Sequence, residues 1–180
     1  SRLGGVRSRV RVASARLRTS IFRNGLYGLF RARVTRGAGT MTESYNTQFS
    51  IRVDWAELDL FGHVNNVAFF RYIQSARVNY CESIGLTSLN NNDQLSFMVA
   101  SSQCQFKKPL LYPNQITVFS KVDWVKNTSF QISYRILDEA RQVVAEGQDV
   151  LVVYDHRRKT KVPISDTLRK SIEAGEKTAF

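Results

Sequence analysis

The run Asp59-Leu60-Phe61-Gly62-His63-Val64-Asn65-Asn66 places one carboxylate a few residues before a turn that opens into a helix. Those are the two parts that cleavage of an acyl group from sulfur requires. The reaction needs a base or nucleophile beside the carbonyl carbon, and aligned donors where negative charge develops on the carbonyl oxygen. An ordinary aspartate, with a pKa of about 3.9, is ionised at neutral pH. The first turn of a helix offers N–H groups with no intrahelical acceptor, backed by a macrodipole of roughly half a positive charge. Gly62, His63 and Val64 fall where such donors would lie, and Asn65 and Asn66 suit the N-cap. The same spacing also fits a surface loop ending in a capped helix, with Asp59 merely making a turn. The motif by itself leaves both readings open.

The flanking segments specify the elements that must hold this run. Phe49, Ile51, Val53 and Trp55 alternate with Ser50, Arg52 and Asp54, the period-2 pattern of a strand with one buried face. From Asn66 to Ile84 the pattern changes: Phe69, Ile73, Ala76, Tyr80 and Ile84 recur at steps of three and four, predicting one long helix stopped by Gly85. The polar stretch between Leu86 and Leu95, with three consecutive Asn, reads as a loop. Four strand-like segments follow, on Met98–Phe106, Ile116–Trp124, Phe130–Ile136 and Val143–Tyr154, the last more continuously apolar, as in a central strand. The short connections at 126–128 and 138–141 suit hairpin turns, so the sheet should be mainly antiparallel. Ser165 is placed to cap a short terminal helix carrying Leu168 and Ile172.

Charge divides the chain unevenly. Residues 1–40 hold ten Arg with no Lys, Asp or Glu, whereas the other 140 residues carry 16 basic and 15 acidic groups. Nearly all of the net charge of +11 thus lies in residues 1–40, within a leader assigned to residues 1–44, and the domain is assigned to residues 45–180. Three readings fit the leader: an organelle transit peptide, for which an Arg-rich, acid-free, Ser-containing composition is typical; sequence upstream of a start at Met41; or a retained basic arm that neutralises RNA phosphates or contacts protein. The first implies a mitochondrial protein, with plastid and cytoplasm as alternatives. A hydrophobic share of 43% is enough for one packed core. No apolar run approaches the length of a membrane span. Cys81 and Cys104 form no CxxC and have no evident basic partner, and His63 and His156 lack companions at ligand spacing, so neither a catalytic thiolate nor a metal site is expected.

From Arg52 to Leu86 the chain reads RVDWAELDLFGHVNNVAFFRYIQSARVNYCESIGL, with Glu57 and Asp59 as an acid-x-acid pair, GHVNN at 62–66 and the Ala76-Arg77 step on the helix. This resembles hotdog-fold acyl-CoA thioesterases of the 4-hydroxybenzoyl-CoA thioesterase type. The later run QCQFKKPLLYPNQITV resembles the strand, Pro-containing loop and strand that follow in that family, so the likeness spans residues 45 to 155. It implies an α+β hotdog fold, a curved antiparallel sheet of five strands wrapped around one long helix, and a homodimer or homotetramer joined through sheet edges with active sites at the subunit interface. It also implies that the second acid of the pair, Asp59, is catalytic. No cofactor is implied. Two positions depart from the family pattern: Glu57 stands where many members have Asp, and His63 where some have an aliphatic residue.

The substrate so implied is an acyl-CoA or acyl-ACP thioester, which needs cationic partners for phosphate and an apolar slot for the acyl group. Lys126, in the turn before Ser129-Phe130, is the first candidate for a phosphate contact, and Arg157 and Arg158, with Lys159 and Lys161, form a second basic group that also reads as a solvated turn. Phe69, Phe70 and Tyr72 are candidates for the slot or for plain core. Two other functions compete. One is a hotdog domain serving as a non-catalytic subunit of a large organellar assembly, such as a mitochondrial ribosome, docked through residues 1–40. The other is a hotdog dehydratase, which the chain's lack of the usual His-plus-acid motif disfavours.

Overall fold

The computed structural model describes residues 45–86, 95–177 and 180. The leader and most of the polar connection after Leu86 lie outside the described residues.

The helix α1 runs over Asn66–Ser83 and the strands are β1 Thr47–Arg52, β2 Leu95–Phe106, β3 Gln115–Val125, β4 Ser129–Leu137, β5 Val143–Asp155 and the two-residue β6 Thr160–Lys161. They form one sheet in the order β1-β3-β4-β5-β2, with β6 beside β5. Every pairing is antiparallel. One face of the sheet carries α1, which packs against β1, β2 and β3. This is the hotdog arrangement.

Alternation explains the core. In β4 the residues Phe130, Ile132, Tyr134 and Ile136 are each 0–1% exposed, while their neighbours Gln131, Ser133 and Arg135 face outward and are half-buried. The inward set shares one buried core with Phe69, Ile73, Ala76, Tyr80 and Ile84, the apolar stripe expected from the sequence, and with Tyr72 of α1. Gly147 on β5 allows the helix to approach closely, because a Cβ there would lie 2.6 Å from Ile73 Cδ1 and 3.0 Å from the Gln103 carbonyl. A buried ion pair fastens the same two elements. Arg77 donates to Asp149 at 2.6 Å, and the Tyr134 hydroxyl donates to the same carboxylate at 3.0 Å.

The first strand ends earlier than the alternation suggests. Asp54 caps a 3-10 turn over Trp55–Glu57, accepting from the Ala56 amide at 2.8 Å, while the Glu57 carboxylate accepts from the Asp54 amide at 3.0 Å. Trp55, expected on the buried strand face, is therefore 70% exposed. Local side-chain bonding to the backbone won over period-2 patterning. At the other end, Ser165 caps α2, Asp166–Glu176, as expected. What the sequence did not announce is Glu176, a buried carboxylate that accepts from the Tyr80 hydroxyl at 2.8 Å and the Val122 amide at 3.0 Å. It anchors α2 to both α1 and β3.

Candidate functional site

Asp59 sits in a closed loop between the 3-10 turn and α1. The Asp59 amide donates to the His63 carbonyl at 2.7 Å, the Gly62 amide donates to the Asp59 carbonyl at 3.1 Å, and Leu58 bridges to Val64. The turn requires a positive φ of 77° at Gly62, the conformation that glycine adopts without steric cost. One oxygen of the carboxylate, Asp59 Oδ1, accepts from the amides of Phe61 at 2.9 Å and His63 at 3.1 Å. Oδ2 receives no hydrogen bond among the described residues.

The helix entry is equally well determined. Asn65 is the N-cap, its side chain accepting from the Val67 amide at 2.9 Å and its carbonyl from the Ala68 amide at 2.9 Å. Its own amide donates to the Glu57 carbonyl at 2.8 Å, and the Val64 amide donates to the Leu110 carbonyl at 2.8 Å. Of the five positions singled out in the sequence, Gly62, His63, Val64 and Asn65 thus have their amides committed to acceptors within the protein. The amide of Asn66, the first residue of α1, has no acceptor among the described residues.

Asp59, His63 and Asn66 line one cavity of about 380 Å³. Its apolar wall includes Val64, Leu110 and an aromatic pair, Phe69 and Phe106, whose rings meet edge to face with centroids 5.2 Å apart. Phe69 is one of the three aromatics that the sequence left open between slot and plain core. Phe70 is instead 38% exposed, and Tyr72 is buried with its hydroxyl on Glu57. The cavity also has a basic side, Lys107 and Lys108, which sequence reading passed over. Their amides both donate to the Val144 carbonyl, and the Lys107 ammonium lies 3.1 Å from Glu146. The signal was available: two lysines followed by Pro109, just after a strand whose last residue is aromatic.

The structure does not bring the other basic candidates to this cavity within one chain. Asn114, at the start of β3, bonds the Val53 amide beside the Asp59 loop, whereas Lys126 lies beyond the far end of that eleven-residue strand, roughly 30 Å away. There the Lys126 ammonium rests over the Trp124 ring at 4.6 Å. Arg157 and Arg158 follow the far end of β5, and their amides donate to Asp155 at 2.9 Å. Those bonds, that from Arg158 foremost, hold the Asp155 carboxyl below its ordinary value of 3.8, against the opposing effect of burial.

Burial pushes the Cys81 thiol up to about 12 and the Cys104 thiol up to about 11. Neither is a thiolate at neutral pH. Among the described residues no cluster of His, Cys, Asp or Glu is arranged to hold a metal ion, and no helix is long and apolar enough to cross a membrane.

The thioesterase-like superfamily matches this chain over residues 53–172, more than half its length. The long-chain acyl-CoA thioesterase FadM of Escherichia coli is 24% identical over 127 residues, which cover 70% of this chain and 96% of FadM. The uncharacterized protein YsmA of Bacillus subtilis is 29% identical over 96 residues, and the matched part spans 64% of YsmA and 51% of this chain. Among solved structures, the PA5185 protein of Pseudomonas aeruginosa superposes with a TM-score of 0.67 at 27% identity, covering 77% of this chain and 96% of that one. A Thermus thermophilus thioesterase crystallised with coenzyme A and zinc has the same fold, with a TM-score of 0.67 at 24% identity over 77% of this chain and 99% of its own.

Proposed function

The chain belongs to the thioesterase-like superfamily and its activity is thioester hydrolysis; we propose that its substrate is an acyl-CoA, with Asp59 as the catalytic carboxylate. The observation that carries this reading is the meeting, in one cavity, of a carboxylate with an unengaged oxygen and the first amide of a helix with no internal acceptor. The acyl group lies against Phe69 and Phe106, and its carbonyl oxygen accepts from Asn66 N–H at the positive end of α1. Asp59 Oδ2 then either attacks the carbonyl carbon or removes a proton from an attacking water. In both routes the carbonyl oxygen carries the negative charge in the tetrahedral species and the C–S bond breaks as it collapses; in the base route the proton taken by Asp59 passes to the departing sulfur, and in the nucleophilic route the coenzyme leaves as the thiolate and takes its proton from water. In the nucleophilic route a water afterwards cleaves the mixed anhydride and restores Asp59. The two amides on Oδ1 fix the rotamer, so that Oδ2 is presented without a conformational search.

Coenzyme A is the carrier of choice because FadM acts on acyl-CoA and because the Lys107-Lys108 side of the cavity supplies cations for its phosphates. The remaining cations enter with a second copy of the chain. Strand β2 is a free edge of twelve residues that presents Leu95, Met98, Val99 and Phe106 half-exposed. Antiparallel pairing of two such edges sets the Phe106 end of one beside the Leu95 end of the other. Leu95 is paired with Asp155, so the partner's Arg157 and Arg158 arrive on the side of the Asp59 cavity. The Arg-rich composition of the leader, that of an organelle transit peptide, supports a mitochondrial location, with plastid and cytoplasm as the alternatives.

The test is hydrolysis of an acyl-CoA series from acetyl to palmitoyl, read by release of free thiol. Absence of turnover on the whole series by the folded protein rejects the substrate assignment. On the active substrate, acid quench under single turnover and mass analysis of the Asp59 peptide separate the routes. An acyl-Asp59 adduct, or heavy oxygen from labelled water appearing in Asp59, marks direct attack; label in the free acid on the first turnover, with no adduct trapped and no label in Asp59, marks attack of water on the acyl carbon, the event base catalysis requires.

A further inference from the structure

Glu57 stands two residues before Asp59, and its carboxylate does not line the cavity. Its contacts are nonetheless concentrated on the elements that form the site. Glu57 Oε2 accepts from the Tyr72 hydroxyl at 2.5 Å and from the Asp54 amide at 3.0 Å. Its carbonyl accepts from the amide of Asn65, the residue that caps α1 and precedes Asn66. Tyr72 lies on the buried face of α1, 2% exposed, and both burial and the Glu57 carboxylate raise the pKa of its hydroxyl, which therefore stays a donor throughout the working pH range. One residue thus grips the start of the helix through its backbone and the body of the helix through its side chain, while its neighbours carry the Asp59 loop.

We propose that Glu57 is a positioning residue, which with Tyr72 acts as a strut fixing the first turn of α1 against the Asp59 loop. In this way it sets the separation between Asp59 Oδ2 and Asn66 N–H. This deepens the reading above and rests on it. The strut works by accepting two hydrogen bonds, not by carrying charge to the substrate, so an uncharged acceptor of the same length serves.

The experiment compares Glu57→Ala, Glu57→Gln, Tyr72→Phe and the Glu57→Ala/Tyr72→Phe pair in the full chain, on whichever acyl-CoA the wild type hydrolyses. Misplacement of reacting groups by about 1 Å costs on the order of 100-fold. Accordingly, Tyr72→Phe and Glu57→Ala should each lower kcat by roughly 10- to 100-fold while KM changes by less than about twofold. The pair should be no worse than Glu57→Ala alone, because both remove the same strut. Glu57→Gln should recover most of kcat. In parallel, hydrogen exchange at the Asn65 amide, which donates to the Glu57 carbonyl, should quicken in Tyr72→Phe, a readout that does not depend on turnover.

Loss of thermal stability in Tyr72→Phe with kcat and amide exchange intact shows a merely structural contact and overturns the proposal. So does failure of Glu57→Gln to restore activity, which would assign the role to charge, or additivity of the two single losses. These outcomes require an active wild type and leave the thioesterase reading standing. A folded wild type inactive on the whole series removes both.

Discussion

The two oxygens of Asp59 differ in their surroundings, and the difference specifies how the residue should respond to substitution. Oδ1 holds the loop through the Phe61 and His63 amides; Oδ2 is left for chemistry. In Asp59→Asn the amide oxygen can keep both loop bonds while the amide nitrogen replaces the reactive oxygen. The fold should therefore survive and the reaction should not. We expect kcat to fall about 10²- to 10⁴-fold, the range by which a positioned acid or base accelerates proton transfer, with the melting temperature unchanged by circular dichroism. Undiminished turnover would remove Asp59 from the mechanism. Cys81 and Cys104 offer no substitute nucleophile, since burial keeps both protonated.

At the scale of elements, the helix entry and the turn after β5 carry separable tests. Asn65 satisfies two amides of the first turn, one through its side chain and one through its carbonyl. Asn65→Ala removes the side-chain acceptor, so it should cost about 1 kcal/mol of stability, read as a lower urea midpoint. It should also lower kcat, because the first turn of α1 is part of the site. The turn after β5 responds to pH. Because the Asp155 carboxyl is held below 3.8 in the folded protein by the Arg158 and Arg157 amides, its ionised form stabilises the fold. That contribution is complete above the unfolded value and is lost as pH falls below 3.8 through the folded one. Asp155→Asn should therefore melt below wild type at pH 7, and the gap should narrow as the solution is acidified past 3.8. A gap independent of pH would assign the effect to packing.

For the whole molecule, the testable question is association, at the free β2 edge and through the leader. An edge strand twelve residues long with exposed Met98 and Val99 invites pairing with another copy. If two copies pair through this edge as proposed, substituting Met98→Lys should shift the species seen by light scattering from dimer toward monomer and raise KM for acyl-CoA, because Arg157 and Arg158 of the partner subunit would leave with it. A wild type that is already monomeric and active overturns the edge-paired dimer. The ten arginines of residues 1–40 offer a contrasting use, as an arm on RNA. Neutralised phosphates give binding that falls steeply with salt. If the leader is a transit peptide, protein isolated from its own cells lacks it and does not sediment with ribosomes. Sedimentation lost with rising salt, and abolished by deleting residues 1–40, would favour a structural subunit instead.

Periodicity and turn chemistry are local properties, and what they control could be read from the chain. The stripe Phe69, Ile73, Ala76, Tyr80 made α1 legible, the alternation in 130–136 made β4 legible, and the spacing from Asp59 to Asn66 placed a carboxylate before a helix. The sequence also contained the exception at Trp55, because Asp54 and Glu57 are spaced as a capping box. Which amide remains free could not be read in this way. Val64 loses its N–H to Leu110, 46 positions along, and Asn65 loses its own to Glu57, so Asn66 alone of the five retains an amide without an acceptor among the described residues. The placing of Lys107 and Lys108 beside Asp59, and of Lys126 and Arg157 at the opposite end of the sheet, was likewise decided by strand register. Residue type states what a group can do. Long-range pairing of backbone donors and acceptors determines which groups are still available to do it.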